Sequence, residues 1–221
     1  MFNSKVYDYI KNACINRSSS KLVAIGECGI DLCNYFYCVF LFSRSDCLLD
    51  DQKVALREQA VLAREFGVPI VIHCRSGKRG DAEQICLGIL KDYYLSNRIW
   101  NVSTIYTATV ILRIGKMRNN GSNNTLMSCF TSTIAKWTIG SKQYEVLENM
   151  PLDRILLETD APYFKPAQFY SPAERTTPDN ISMPGMAINV AFCLAAAKNI
   201  HVDEVLRASR RNTEKMYCLD L

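Results

Sequence analysis

Short apolar runs alternate with helical patterns along the chain, and this alternation is typical of βα units around a parallel sheet. Strands are predicted at residues 22–25, 70–72, 102–106, 127–130 and 155–157. The first run is followed by the turn-like segment GECGID, and the last run is followed by ETDAPY. The pattern therefore predicts an α/β fold with parallel strands.

Helices are predicted between these strands, where apolar residues recur at a helical period. One helix ends at Gly67, the next begins at Asp81 with Gln84 in its first turn, and Asp203 is predicted to cap the last helix. The core-facing positions of three helices are Leu56, Ala60, Ala63 and Phe66, then Ala82, Ile85, Cys86, Ile89 and Leu90, then Ala187, Val190, Ala191, Leu194 and Ala195.

Composition indicates one globular domain over residues 1–221, because 48% of the residues are hydrophobic and 22% are charged. The net charge of +4 permits an anionic ligand but excludes a strongly basic nucleic-acid coat protein. Ten cysteines are scattered without the paired spacing of zinc sites or disulfide scaffolds, which predicts reduced thiols and an intracellular protein of the cytoplasm or nucleus. No apolar run reaches the ~18 residues of a membrane span, so no membrane association is expected.

Two segments fit this plan poorly. Residues 34–42 are almost continuously apolar where a βα loop is expected, and they are interpreted as a buried or misassembled loop rather than a ligand-binding segment. Residues 113–124 end in a loop rich in Asn and Gly whose three cations are suited to phosphate, although a solvated basic loop is the simpler interpretation.

Polar residues follow three of the predicted strands, at the end where the active sites of βα barrels lie. Glu27 follows the first strand, His73 the second and Asp160 the fifth. Two carboxylates and an imidazole are suitable ligands for a divalent cation such as Mg²⁺, Mn²⁺ or Zn²⁺, which lowers the pKa of bound water and neutralises phosphate charge. The pattern predicts hydrolysis of a phosphodiester, with Glu27 and Asp160 as the catalytic carboxylates.

Other polar residues lie beside these three. Arg75 is suited to a phosphate oxygen, and Glu158 is a second candidate for substrate binding. Purely structural roles stay open as alternatives: Glu27 and Asp31 as caps of the following helix, His73 as a satisfied core histidine, and Asp160 as a turn residue. His201, in AKNIHVDEV, is expected at the surface.

Four segments resemble motifs of the TatD deoxyribonuclease family, and they occur in the family's order. VAIGECGID resembles the Gly-Glu-x-Gly-Leu-Asp motif, and PIVIHCR the second histidine motif. PLDRILLETDAPYF is similar to the closing Glu-Thr-Asp-Ala-Pro strand, and RRNTEKMY to the C-terminal Asn motif. The likeness runs from about residue 21 to the C-terminus.

This resemblance implies a TIM-type (β/α) barrel of the metal-dependent hydrolase group that binds one or two divalent ions and cleaves DNA from an end. It places Glu27, His73 and Asp160 on metal-ligand positions. The family's His-x-His strand has no counterpart before Glu27, and no histidine occurs near Thr104, where another family ligand is expected. The resemblance therefore implies at most one weakly held ion.

Five strands are predicted where a closed barrel has eight, which independently predicts an incomplete barrel that lacks about the first three βα units. Open sheet edges expose unpaired backbone groups, which favours self-association. Doubtful activity follows from the missing ligands. The alternatives to a deoxyribonuclease are a non-catalytic relative that binds nucleic acid or a protein partner, and an amidohydrolase acting on a small substrate.

Overall fold

The computed structural model describes residues 4–32, 48–76, 80–93, 109–114, 124–131, 134, 136–163, 165–166 and 181–219. The helices are α1 (Ser4–Ile15), α2 (Arg17–Ser20), α3 (Leu49–Phe66), α4 (Ala82–Tyr93), α5 (Lys142–Asn149), α6 (Ala187–Lys198) and α7 (Val202–Tyr217). The strands are β1 (Ile25–Asp31), β2 (Ile70–Arg75), β3 (Thr109–Ile114), β4 (Asn124–Phe130) and β5 (Ile155–Leu157). The apolar segment 34–42, the predicted strand 102–106 with Thr104, and residues 115–123 of the basic loop lie outside the described residues.

The chain divides into two compact units, Met1–Leu126 and Met127–Leu221. The organisation of residues 1–221 as a single partial barrel stays a prediction. Self-association through open sheet edges also stays a prediction.

In the first unit, β1 and β2 are parallel, with Ile25 opposite Ile70 and Asp31 opposite Arg75. The next strand, β3, is antiparallel to β2, with Ile70 opposite Leu112. Strand β3 was not among the predicted strands, and its direction departs from the parallel sheet that was expected. A strand pattern in sequence indicates an extended segment but not its direction, which depends on the connection that leads into it.

Both helices predicted in this unit are confirmed. Helix α3 ends at Gly67, which adopts the left-handed conformation expected of a C-terminal cap. The Asp81 carboxylate accepts a hydrogen bond from the backbone N–H of Gln84 at 3.0 Å, as predicted for the start of α4. The unit's core lies between β1, β2, α3 and α4, and Leu56, Ala60 and Cys86 are fully buried there.

In the second unit, β4 and β5 are parallel, with Ser128 opposite Ile155 and Phe130 opposite Leu157. Helices α6 and α7 pack together, and α7 also packs on β5. The core of this unit contains the predicted face of α6 except Ala187, and its fully buried members are Val190, Ala191 and Leu194. The N-terminus of α5 is capped by Ser141, whose hydroxyl accepts from the N–H of Tyr144 at 3.2 Å.

The start of α7 differs from the prediction. His201, not Asp203, is the N-terminal cap, and its ring Nδ1 accepts from the N–H of Asp203 at 3.3 Å. The Glu204 carboxylate accepts from the backbone N–H of His201, which completes a reciprocal capping box. Asp203 lies in the first helical turn instead, where its charge is favourable beside the helix N-terminus. The expected exposure of His201 is confirmed.

Among the described residues, no single helix has both the length and the apolar character to cross a membrane. Pro184–Lys198 and Val202–Tyr217 meet those criteria only when taken together, and they are bent by 117° where they join. Most of the apolar residues on this pair form part of the second unit's core.

Candidate functional site

Side chains of β2 alternate between two environments. Ile70, Ile72 and Cys74 are buried against the helices, whereas His73 and Arg75 are only half-buried on the opposite face of the strand. This alternation follows from the two-residue period of a strand. The strand therefore supports the core with one set of residues and presents the imidazole and the guanidinium side by side with the other.

The first unit brings Glu27 and His73 into direct contact. Glu27 Oε1 lies 3.1 Å from His73 Nδ1, and 51% of the Glu27 side chain and 24% of the His73 side chain are exposed. A carboxylate oxygen and an imidazole nitrogen that reach one point from neighbouring strands are a suitable pair of ligands for a divalent ion. These two predicted ligands thus lie together on an accessible face of the sheet.

Glycine residues allow β1 to approach β2 at this point. A Cβ atom on Gly29 would lie 1.8 Å from the backbone oxygen of His73, and one on Gly26 would lie 2.6 Å from the backbone oxygen of Val71. The segment GECGID, predicted as a turn, is part of β1, and its glycines serve a close strand contact. Glu27 therefore lies inside the strand and not after it.

A second ion pair follows the first along the same two strands. Arg75 Nη1 lies 3.6 Å from Asp31 Oδ2, and both side chains are largely shielded from solvent. The guanidinium predicted to bind phosphate thus has a carboxylate partner within the chain. Because that contact is longer than an ideal charged hydrogen bond, Arg75 is held near the Glu27–His73 pair without a tight bidentate grip on Asp31.

Sequence reasoning missed Gln52 of α3. Its Oε1 accepts from the N–H of Asp31 at 2.8 Å, and its Nε2 donates to the carbonyl oxygen of Asp31 at 3.3 Å. The available signal was positional, since Gln52 lies one helical turn before Leu56 on the apolar stripe of α3. A polar residue at such a position indicates a specific hydrogen-bonding role.

Thiols line the buried face behind the pair. Burial raises the pKa of Cys28 to about 12, with Cys74 and Glu27 nearby adding to the effect. A hydrogen bond with Cys86, together with burial, raises the pKa of Cys74 far above that of an exposed thiol. All seven described cysteines are free. Without a metal ion, these buried thiols are therefore protonated near neutral pH.

In the second unit, β5 leads directly into Glu158 and Asp160. The N–H of Glu158 donates to the Phe130 carbonyl at 3.0 Å, which extends the pairing of β4 with β5 by one residue. The Asp160 carbonyl accepts from the N–H of Tyr163 at 2.7 Å, which closes a turn after the strand. Asp160 is therefore fixed by its backbone immediately beyond the carboxyl end of β5.

Helix α7 is hydrogen-bonded to the beginning of β5 and to the residues just before it. Asn212 is 5% exposed, and its Nδ2 donates to the carbonyl oxygens of Leu152 at 2.7 Å and Ile155 at 2.8 Å. Tyr217 lies farther along the helix, where burial and the nearby Cys129 and Glu158 raise the pKa of its phenol. The residue of the C-terminal Asn motif is thus a support for the strand that carries Glu158 and Asp160.

Within the described part of the chain, no group of three or more His, Cys, Asp or Glu side chains is arranged to hold a metal ion. Glu27 and His73 form a pair in the first unit, and Asp160 belongs to the second. The donor types of the pair fit a divalent cation, and the assignment of the three residues to one ion stays a prediction.

The chain is similar to known hydrolases. The model of a family described as TatD related DNase matches residues 2–218. A human 3'-5' RNA nuclease, TATDN2, is 29% identical over 207 residues, which are 90% of this chain and 23% of the relative. A 3'-5' ssDNA/RNA exonuclease, TatD, from Rahnella is 29% identical over 176 residues, 77% of this chain and 57% of the relative. This chain thus spans about a quarter of one relative and over half of the other.

Two further proteins extend the comparison. A protein of Bacillus subtilis described as an uncharacterized metal-dependent hydrolase, YabD, is 26% identical over 197 residues, 89% of this chain and 66% of the relative. The crystal structure of the TatD homologue YJJV from Escherichia coli matches with a TM-score of 0.60 and 19% identity, over 99% of this chain and 72% of that one. This structural likeness shows the α/β, TIM-barrel type of fold that was expected.

Proposed function

The chain belongs to the TatD-related DNase family, and we propose that it is a metal-dependent hydrolase of nucleic-acid phosphodiester bonds. The observation that carries the proposal is the 3.1 Å contact between Glu27 and His73 on an accessible face of the sheet. A carboxylate and an imidazole in contact on an accessible face are suited to binding a cation.

Three residues are proposed as metal ligands. Glu27 and His73 supply one oxygen and one nitrogen from the first unit, and Asp160 is included because of its Glu-Thr-Asp-Ala-Pro motif. A divalent ion held by these residues would supply a water of lowered pKa and would neutralise charge on the phosphate. Mg²⁺ and Mn²⁺ suit the two carboxylates and Zn²⁺ the imidazole, so the metal identity is left to measurement.

The protein's own residues have distinct proposed roles in the reaction. Asp160 orients the attacking water and accepts its proton, and Glu27 holds the ligand geometry with His73. Arg75 exchanges part of its contact with Asp31 for a phosphate oxygen, which its planar guanidinium suits. Glu158 contacts the substrate beside Asp160.

The proposed substrate is single-stranded nucleic acid. One relative is named as an RNA nuclease and another as an ssDNA/RNA exonuclease. DNA was expected from the sequence motifs, and both polymers present the same phosphodiester. With two histidines in the whole chain, we expect a single, weakly held ion and slow turnover.

The test uses the purified chain with a labelled single-stranded oligonucleotide and added Mn²⁺ or Mg²⁺. We expect metal-dependent cleavage that is lost in Asp160→Asn, Glu27→Gln and His73→Asn. Asp153→Asn is the matched control, because Asp153 is an exposed aspartate of the same unit as Asp160, and its ion pair among the described residues is a 3.9 Å contact with Arg154. Cleavage that persists in Asp160→Asn, or that is lost equally in the control, contradicts the assignment.

A second candidate is a non-catalytic relative that binds nucleic acid or a protein partner. The observation in its favour is that no cluster of three metal-ligating side chains occurs within the described ranges. Isothermal titration with Mn²⁺ separates the two: stoichiometric binding that weakens in His73→Asn supports the hydrolase, and its absence supports the binding protein.

A further inference from the structure

Helix α7 presents three cations to solvent at intervals of one helical turn. Arg207, Arg211 and Lys215 are all exposed, and residues four apart lie on the same side of a helix about 6 Å apart along its axis. The opposite side of α7 is apolar or hydrogen-bonded, with Val205, Asn212 and others buried in the second unit. The outward side of α7 therefore carries these three cations, with Asp203 and Glu204 at its N-terminal end.

These three cations have no ion pair or hydrogen bond with any residue that the structure describes. Two of the three acidic side chains of the same helix have other partners. Glu204 accepts a hydrogen bond from the His201 backbone, and Glu214 pairs with Arg210 at 3.1 Å. With four cations and three carboxylates, α7 keeps a net positive charge.

The C-terminal end of α7 lies near a residue of the proposed site. Asn212 contacts Leu152 and Ile155, at the beginning of β5, whereas Tyr217 lies near Glu158, just beyond its end. Of the three cations, Lys215 is nearest along the helix to Tyr217.

We propose that Arg207, Arg211 and Lys215 form a track for the phosphate backbone of a single-stranded nucleic acid, whose end reaches Glu158 and Asp160. This inference rests on the proposed function and names the surface that holds the substrate away from the scissile bond. The charge is complementary, because each nucleotide adds one phosphate and exposed Arg and Lys side chains bind phosphates without sequence preference. A lipid surface fits less well, since the apolar side of α7 is buried in the unit and is not available for insertion.

The test measures binding without cleavage. A fluorescent single-stranded oligodeoxythymidylate is titrated with the full chain in EDTA, and anisotropy is followed over a range of salt concentrations. The triple variant Arg207→Gln, Arg211→Gln and Lys215→Gln is expected to bind about tenfold more weakly at low salt. Its plot of log affinity against log salt should be shallower by about 2, at ~0.7 for each lost phosphate contact.

The matched control removes the same charge elsewhere. Lys5→Gln, Arg64→Gln and Lys91→Gln together replace three exposed cations of α1, α3 and α4 that also lack a partner among the described residues. We expect the control to keep the parent affinity and salt slope. The single variants Arg207→Gln and Lys215→Gln, each expected to reduce the slope by ~0.7, keep the test valid should the triple variant fold poorly.

The outcomes separate this inference from the nuclease assignment. Unchanged binding by the triple variant, equal loss in the control, or no binding by the parent protein at low salt overturns the track. Binding of the parent protein and the triple variant to anionic lipid vesicles is measured as well. If the triple variant loses vesicle binding but keeps oligonucleotide binding, the track is overturned. If the triple variant binds the oligonucleotide more weakly but the parent protein never cleaves, the track is supported and the nuclease assignment is contradicted. If the parent protein cleaves and the triple variant binds with unchanged affinity, the nuclease assignment is supported and the track is contradicted.

Discussion

Gln52 forms two hydrogen bonds with the backbone of a single residue, Asp31. The Gln52 side chain accepts from the N–H at 2.8 Å and donates to the carbonyl at 3.3 Å. Its amide thus forms the pair of hydrogen bonds that a further neighbouring strand would form with the end of β1. Asp31 in turn lies beside Arg75. The amide of one helical residue thus fixes the strand end that holds this guanidinium in place.

We expect Gln52→Ala to lower the free energy of unfolding by about 1–3 kcal/mol, because it removes two hydrogen bonds to the backbone of Asp31. Urea denaturation followed by circular dichroism gives the value. Gln59→Ala in the same helix is the control, since Gln59 donates only to Ala55 within α3 at 3.2 Å. Equal losses in the two variants would mean that the contact with Asp31 is not special.

Gly29→Ala should disrupt the site together with the fold. The new Cβ would lie 1.8 Å from the His73 carbonyl oxygen, so β1 and β2 must separate where Glu27 meets His73. We expect a loss of several kcal/mol, in the range of severe core damage. Gly88→Ala is the control because nothing lies within 4 Å of its Cβ in α4, and we expect a gain of about 0.5–1 kcal/mol. Thermal denaturation distinguishes the two, and a stable Gly29→Ala protein would contradict the strand contact.

Asn212 should tolerate no replacement that removes its donors. Asn212→Asp places a carboxylate against the carbonyl oxygens of Leu152 and Ile155, so we expect it to be more destabilising than Asn212→Ala, which itself costs about 1–3 kcal/mol. Asn149→Ala removes an exposed bond to Glu145 and is expected to cost no more than about 0.5 kcal/mol. Chemical denaturation ranks the three, and equal stability of the Asp and Asn forms at neutral pH would refute the role.

Alkaline pH should weaken the first unit through Cys28. Burial raises the pKa of its thiol from 9.0 to about 12. The folded chain therefore retains a proton that the unfolded chain releases, and the free energy of unfolding falls as pH rises through that window. Below pH 9 this contribution is fully present.

Urea denaturation at a series of pH values tests this dependence. Cys28→Ala should show a shallower fall in stability above pH 9 than the parent protein. Cys218→Ala, at an exposed position, should follow the parent curve. A Cys28→Ala curve parallel to that of the parent would rule out this thiol as the source.

Periodicity predicted several of these elements well, because apolar spacing is a local property of the sequence. The stripe of α3 and the short apolar runs of β2 and β5 are found where they were expected. Helices α1 and α5 were not predicted; α1 has only one fully buried residue, Cys14, so its apolar signal is weak. Strand β3 was not predicted, and its antiparallel direction is not encoded in a strand's own pattern.

The site was predicted in its residue types and less well in its geometry. Glu27 and His73 meet, as their motifs indicated, but the glycines beside Glu27 suggested a turn when they permit a close strand contact. Gln52 and Asn212 act on backbone groups that are distant in sequence, so no local pattern identifies their partners. Long-range hydrogen bonds of this kind become visible only once the strands are in register.

Because the residues of β2 alternate between a buried and an accessible face, the function of the strand depends on the number of residues before each position. Deleting Val71 would turn His73 towards the helices and would place Cys74 on the accessible face beside Glu27. The buried and accessible residues would be exchanged along the rest of the strand. Substitutions can alter packing or chemistry separately here, whereas a one-residue change in length must alter both. Natural variation in this strand should therefore proceed by replacement and never by insertion or deletion.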